Sequence, residues 1–121
     1  MSTPQDIPPA IRRASRLLKL MGNERRLTVL CSLAEGELSV GQLETRVGLS
    51  QSALSQHLAK LRRDGLVRTR RHRQTIFYAL AGTEAAFLLV ALGQLYGQKT
   101  MAPPASAAAS PAVNGITALA S

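Results

Sequence analysis

The chain has 121 residues, a single cysteine, and 15 Lys+Arg against 7 Asp+Glu, a formal net charge of +8. That length suits one small domain and excludes a typical two-lobed enzyme. One cysteine excludes both a disulfide-stapled secreted scaffold and a metal site of several thiolates within the chain. The cationic surplus points to a polyanion partner, nucleic acid first. With 3% aromatic residues and no Trp, a base-stacking platform for single strands is disfavoured.

Residues 1–9 hold three of the six prolines, and residues 98–121 are mostly Ala, Ser, Pro and Thr with one charge, Lys99. Both segments read as disordered tails with little to bury, which leaves residues 10–97 as the working domain. A core of that size is marginal alone and invites a partner subunit. Residues 1–9 lack the apolar core of a secretory leader. The apolar run Ala85 to Leu92 is far short of the roughly 20 residues that span a bilayer. The expectation is a cytoplasmic, nucleoid-associated protein with no membrane partner.

Pro8 and Pro9 precede a helical pattern through Ile11, Leu17, Leu18 and Met21. Gly22-Asn23 breaks it, and Asn23 suits the N-cap of a second helix. There Leu27, Leu30, Cys31 and Ala34 recur at the spacing of a buried stripe, which Gly36 ends. Ser39 with Gln42 three residues on predicts a capping box opening a short third helix. Gly48-Leu49 turns the chain, Ser50 caps a fourth helix with Leu54, Leu58 and Leu61 inward, and Asp64-Gly65 closes it. Residues 66–70 and 75–80 are rich in β-branched and aromatic types and predict two strands, with Arg71 to Gln74 as the hairpin link. A last helix is predicted from Gly82-Thr83 to about Tyr96. The predicted fold is mainly α with a small β-hairpin, in the order α-α-α-α-β-β-α.

Two helices joined by Gly48-Leu49-Ser50 and followed by a basic hairpin make a winged helix-turn-helix. The apolar stripe of the fourth helix leaves Gln51, Ser52, Ser55, Gln56 and Lys60 outside. Amide and hydroxyl side chains of this kind read base edges in the major groove. Ser50 or Gln51 suits a phosphate at the helix N-terminus, and His57 borders this surface. Residues 60–73 carry Lys60, Arg62, Arg63, Arg68, Arg70, Arg71 and Arg73 against Asp64 alone. A phosphate backbone relieves the mutual repulsion of such a run and releases counterions. Arg68 and Arg70 share one strand face by the two-residue period, and Arg71 and Arg73 sit at the loop. These four are the expected phosphate holders.

The last helix is apolar nearly all round, so one small domain cannot cover every face of it. A second copy is the natural cover, with Leu17, Phe87, Leu88, Val90, Ala91 and Leu95 as interface candidates. A twofold homodimer presents two reading helices to a double-stranded operator of twofold symmetry.

The stretches Ser50-Gln51-Ser52-Ala53-Leu54-Ser55-Gln56-His57-Leu58, Leu61-Arg62-Arg63-Asp64-Gly65-Leu66-Val67 and Gln74-Thr75-Ile76-Phe77-Tyr78 resemble the ArsR/SmtB family of bacterial winged-helix repressors. The resemblance covers roughly residues 10–97. It implies a dimer through the first and last helices and operator binding that an inducer abolishes. Many members sense metals, yet this chain has Glu37-Leu38-Ser39-Val40-Gly41 where the thiolate type has two cysteines. Its last helix also has no Asp or His for the zinc type, so neither metal nor cofactor is expected. The nearer resemblance is to the branch that senses sulfide, persulfide or oxidants, which includes biofilm-growth repressors and haemolysin-gene regulators. Cys31 matches that branch's first cysteine. The second position falls at Gly97, so the intrasubunit bridge cannot form.

Cys31 has two readings. It is a small core residue by spacing, or a sensing thiol open to sulfenylation or persulfidation, with Arg25 and Arg26 near enough in sequence to lower its pKa. The sequence therefore points to a DNA-binding transcriptional repressor. The alternatives are a non-specific architectural nucleic-acid-binding protein and a winged-helix regulator without thiol or metal sensing. No catalytic role is expected: the chain has no pair of acids and no Gly-rich phosphate loop, and Ser55 and His57, two apart on one helix, do not face each other.

Overall fold

The computed structural model describes residues 6–97. The expected tail at 98–121, and most of that at 1–9, lies outside the described residues. Four of the five described helices begin where local end chemistry places them. Pro8 and Pro9 open α1 (Pro9–Met21), where a missing N–H costs nothing. Asn23 Oδ1 accepts from the N–H groups of Arg25 and Arg26, both at 3.0 Å, and starts α2 (Glu24–Leu33). At α3 (Val40–Val47) the capping box closes both ways: Gln42 N donates to Ser39 Oγ at 3.2 Å, and Ser39 N to Gln42 Oε1 at 2.8 Å. Ser50 Oγ accepts from Ala53 N at 3.3 Å and caps α4 (Gln51–Arg63).

A Schellman ending stops α4. Leu66 N donates to Leu61 O, Gly65 N donates to Arg62 O, and Gly65 takes φ +79°. The chain then runs through β2 (Val67–His72) and β3 (Thr75–Leu80) into α5 (Glu84–Tyr96). The hairpin is tighter than the sequence suggested. Arg71 and His72 pair with Ile76 and Thr75 and belong to the strand, so the turn is Arg73-Gln74 alone. The sequence reading also missed a two-residue strand, β1 (Leu38–Ser39), which pairs antiparallel with β3 and gives a three-stranded sheet of order β1-β3-β2.

One apolar cluster joins all these elements. Leu30, Leu43, Leu54, Leu58 and Leu61 are essentially inaccessible, and Met21, Val29, Val47, Val67 and Leu89 surround them. Burying each such leucine stabilises the fold by about 1.5–3 kcal/mol, and the shared core sets α4 at a fixed angle to α3 and the wing. Ala85, Leu89 and Gly93 bury one face of α5. Leu17 and Leu88, expected at an interface, are half-buried against this same core. Val90 is half-buried, Ala91 is exposed, and Phe87 and Leu95 are 54% and 72% exposed. Ile7, Ile11, Leu18 and Tyr96, which the sequence reading left out of the interface, are also large and exposed. Arg13 of α1 meets Glu84 of α5 at 3.5 Å. Among the described residues no helix is long and apolar enough to cross a membrane.

Candidate nucleic-acid interface

The outward stripe of α4 is as expected: Gln51, Ser52, Ser55, Gln56 and Lys60 are exposed, while Leu54, Leu58 and Leu61 face the core. An α-helix about 10–12 Å across fits a major groove about 12 Å wide. Lys60, Arg62 and Arg63 occupy its last turn, where cations complement the helix dipole. Ser50 has a prior duty. Its hydroxyl caps the helix and lies 3.5 Å from Ser52 Oγ.

His57 borders the outward stripe, as expected. Three and four residues from Leu54 and Leu61, it stands at the edge of the buried face, half-buried, with Nδ1 3.4 Å from Arg26 Nη1. Burial first, then the charges of Arg26, Lys60 and Arg25, hold its pKa below the usual histidine value. The imidazole is therefore neutral at pH 7. Arg26 is a brace. Its Nε donates to Leu20 O at 2.7 Å and its Nη2 to Lys19 O at 3.4 Å, so one guanidinium joins the carbonyl end of α1 to the reading helix. Arg25 Nη1 donates to Val47 O at 3.2 Å, satisfying a carbonyl at the end of α3. The sequence reading missed both braces, because contacts 22 to 31 residues apart leave no local signal.

In the wing, Arg71 Nε donates to Arg73 O at 3.0 Å, and Arg73 occupies the turn. Arg68 Nη1 donates to Leu80 O. Arg70, expected to hold phosphate, is already paired. Its Nε and Nη2 donate to the two carboxylate oxygens of Glu37, each at 2.7 Å, and its guanidinium lies 4.6 Å over the Phe77 ring. The pair lowers the Glu37 pKa and raises that of Arg70, the Glu37–Arg70 hydrogen bonds being the main cause in each case.

Cys31 is a free, half-buried thiol packed against the core. Desolvation pushes its pKa up to about 11. The expected help from Arg25 and Arg26 is not there, since both guanidiniums point to α1, α3 and α4. Among the described residues no group of three or more His, Cys, Asp or Glu is placed to hold a metal ion.

A helix-turn-helix whose second helix exposes amides and hydroxyls beside a cationic hairpin defines a winged-helix DNA-binding regulator. Comparison with known proteins agrees. Residues 23–69 match the family model "Bacterial regulatory protein, arsR family". The chain is 55% identical over 94 residues to the transcriptional activator HlyU of Vibrio cholerae, covering 78% of this chain and 87% of that one. It is 42% identical over 94 residues to a biofilm growth-associated repressor of Xylella fastidiosa, covering 78% and 82%. The solved structure of HlyU from Vibrio cholerae superposes with a TM-score of 0.71 at 56% identity, covering 74% of this chain and 98% of that one. A homodimeric winged helix-turn-helix domain from Mycobacterium bovis superposes at 0.64 and 33% identity, covering 76% and 84%. The chain belongs to the arsR family of bacterial regulatory proteins and is a sequence-specific DNA-binding transcription regulator.

Proposed function

We propose that the chain acts as a homodimeric repressor that sets its two α4 helices into successive major grooves of a twofold-symmetric operator. The observation that carries this reading is the exposed stripe of α4 on a helix packed against β2, the strand that carries the exposed Arg68 and Arg71. Exposed Phe87, Leu95 and Tyr96 on α5, with Ile11 and Leu18 on α1, support a second copy as their cover. Half-sites one helical turn apart, about 34–36 Å, suit such a pair. Gln51, Ser52, Ser55 and Gln56 read bases, Lys60 with Arg68, Arg71 and Arg73 hold backbone, and bound dimer occludes the promoter. The proposal contains no catalytic step and places the protein in the cytoplasm, on the nucleoid.

Control by reactive sulfur or oxidants through Cys31 is a finer reading. A thiol held at about 11 is a poor nucleophile at neutral pH, so the proposal rests on DNA recognition and not on thiol chemistry. The test is selection of duplexes from a random pool, followed by titration of the winner and a scrambled duplex at several salt concentrations. A palindromic winner bound by two chains, and preferred at every salt, is the expected result. Equal binding to both duplexes would leave an architectural protein instead.

A further inference from the structure

We propose that Glu37 is a positioning and specificity-determining residue of the DNA interface. It holds Arg70 out of the phosphate-binding set and pins the wing in one register. The inference rests on the operator-binding reading above.

Three strands build the arrangement. Leu38 of β1 pairs with Tyr78 of β3 and is buried, so alternation puts its neighbour Glu37 on the opposite, outer face. Arg70 of β2 pairs with Phe77 of β3 on that same face. The guanidinium therefore meets the carboxylate with two bonds of 2.7 Å along its edge and the Phe77 ring beneath its plane. This fork geometry is the strong form of a charge-assisted hydrogen bond. The carboxylate stays ionised, and Arg68 adds to the positive field around it.

A DNA phosphate approaching Arg70 meets a pair of zero net charge whose guanidinium edge is already occupied. Phosphate contacts bind any sequence equally well, whereas specificity is a difference between two affinities. On an operator, the base contacts of α4 fix where the wing lies, so a freed Arg70 gains a phosphate only if one happens to stand there. On unrelated DNA the dimer shifts until a freed Arg70 finds one. Releasing Arg70 therefore favours the wrong duplexes more than the right one.

The experiment compares wild type, Glu37→Gln, Arg70→Gln and the double variant on the selected operator and a scrambled duplex. The readout is the slope of log K against log salt. Glu37→Gln is expected to steepen the slope on scrambled DNA by about 0.9 for each added phosphate contact, about 1.8 for the two subunits of a dimer. Each contact corresponds to up to about eightfold tighter binding at 0.1 M salt, about sixtyfold for the two together, with a smaller gain on the operator. Arg70→Gln leaves the Glu37 carboxylate unpaired and is expected to weaken binding to both duplexes. The double variant, with both charges gone, is expected to lose the gain and keep the wild-type slope. The inference is overturned if the double variant flattens the wild-type slope by a full contact per subunit, or if Glu37→Gln weakens binding to both duplexes with no change of slope, as a merely structural role would. If no operator can be selected, the repressor reading fails, while the scrambled-duplex slopes still decide the role of Glu37.

Discussion

Labelling Cys31 with an aromatic disulfide measures how far burial has suppressed its chemistry. Its pKa is about 11 against an ordinary 9.0. At pH 8 that shift lowers the thiolate fraction from about one in ten to about one in a thousand, each unit being a factor of ten. A more basic thiolate is a better nucleophile, with a coefficient of about 0.4–0.5, which returns roughly eightfold over the two units. The net expectation is labelling about tenfold slower in the native protein than in a denaturant-unfolded sample, with partial burial slowing it further. The same shift sets a pH dependence. Folding favours the protonated thiol, so its stabilising contribution is complete below pH 9 and is lost as pH rises from 9 through about 11. Cys31→Ala should remove that alkaline limb. A native labelling rate equal to the unfolded one, or a pH–rate midpoint at or below 9, would refute the desolvation argument and restore a sensing thiol.

Gly48 takes φ +74° at the helix-turn-helix corner, with nothing within 4 Å of a Cβ built on it. Gly48→Ala is therefore expected to cost about 1–2 kcal/mol of backbone strain alone, and Gly48→Asn less; equal melting temperatures for the two variants would contradict this. Leu58→Ala, at a site with 1% exposure, should destabilise by about 2–5 kcal/mol in urea unfolding at fixed protomer concentration, and a loss below 1 kcal/mol would mean the core is looser than it looks. His57 is held neutral, so its contribution is present above pH 6.5 and fades as pH falls below it. An NMR titration midpoint at or above 6.5 would refute the combined action of burial and the Arg26, Lys60 and Arg25 charges on the ring.

The parts legible from sequence are those whose causes are local. Asn23, Ser39 with Gln42, and Ser50 sit within three residues of the N–H groups they satisfy, and the spacing of Leu54, Leu58 and Leu61 is the helical period itself. What escaped depends on distant chain. β1 exists because β3 offers Phe77 and Tyr78 as partners, and two residues show no period of their own. Arg71 and His72 read as loop because their strand character comes from pairing with Ile76 and Thr75. In an α5 apolar nearly all round, periodicity cannot say that Leu88 turns inward while Phe87 stays out. The pairing of Arg70 was not legible because its partner Glu37 lies 33 residues away.

Arg73 is the non-glycine residue with positive φ among those described, at +58°. Glycine would relax there at no steric cost, so arginine at this corner forgoes about 1 kcal/mol of hairpin stability. Heat tolerance and operator affinity should consequently pull this position apart. A library screened for survival at high temperature would drift toward glycine or asparagine, and one screened for occupancy of its promoter would keep the cation.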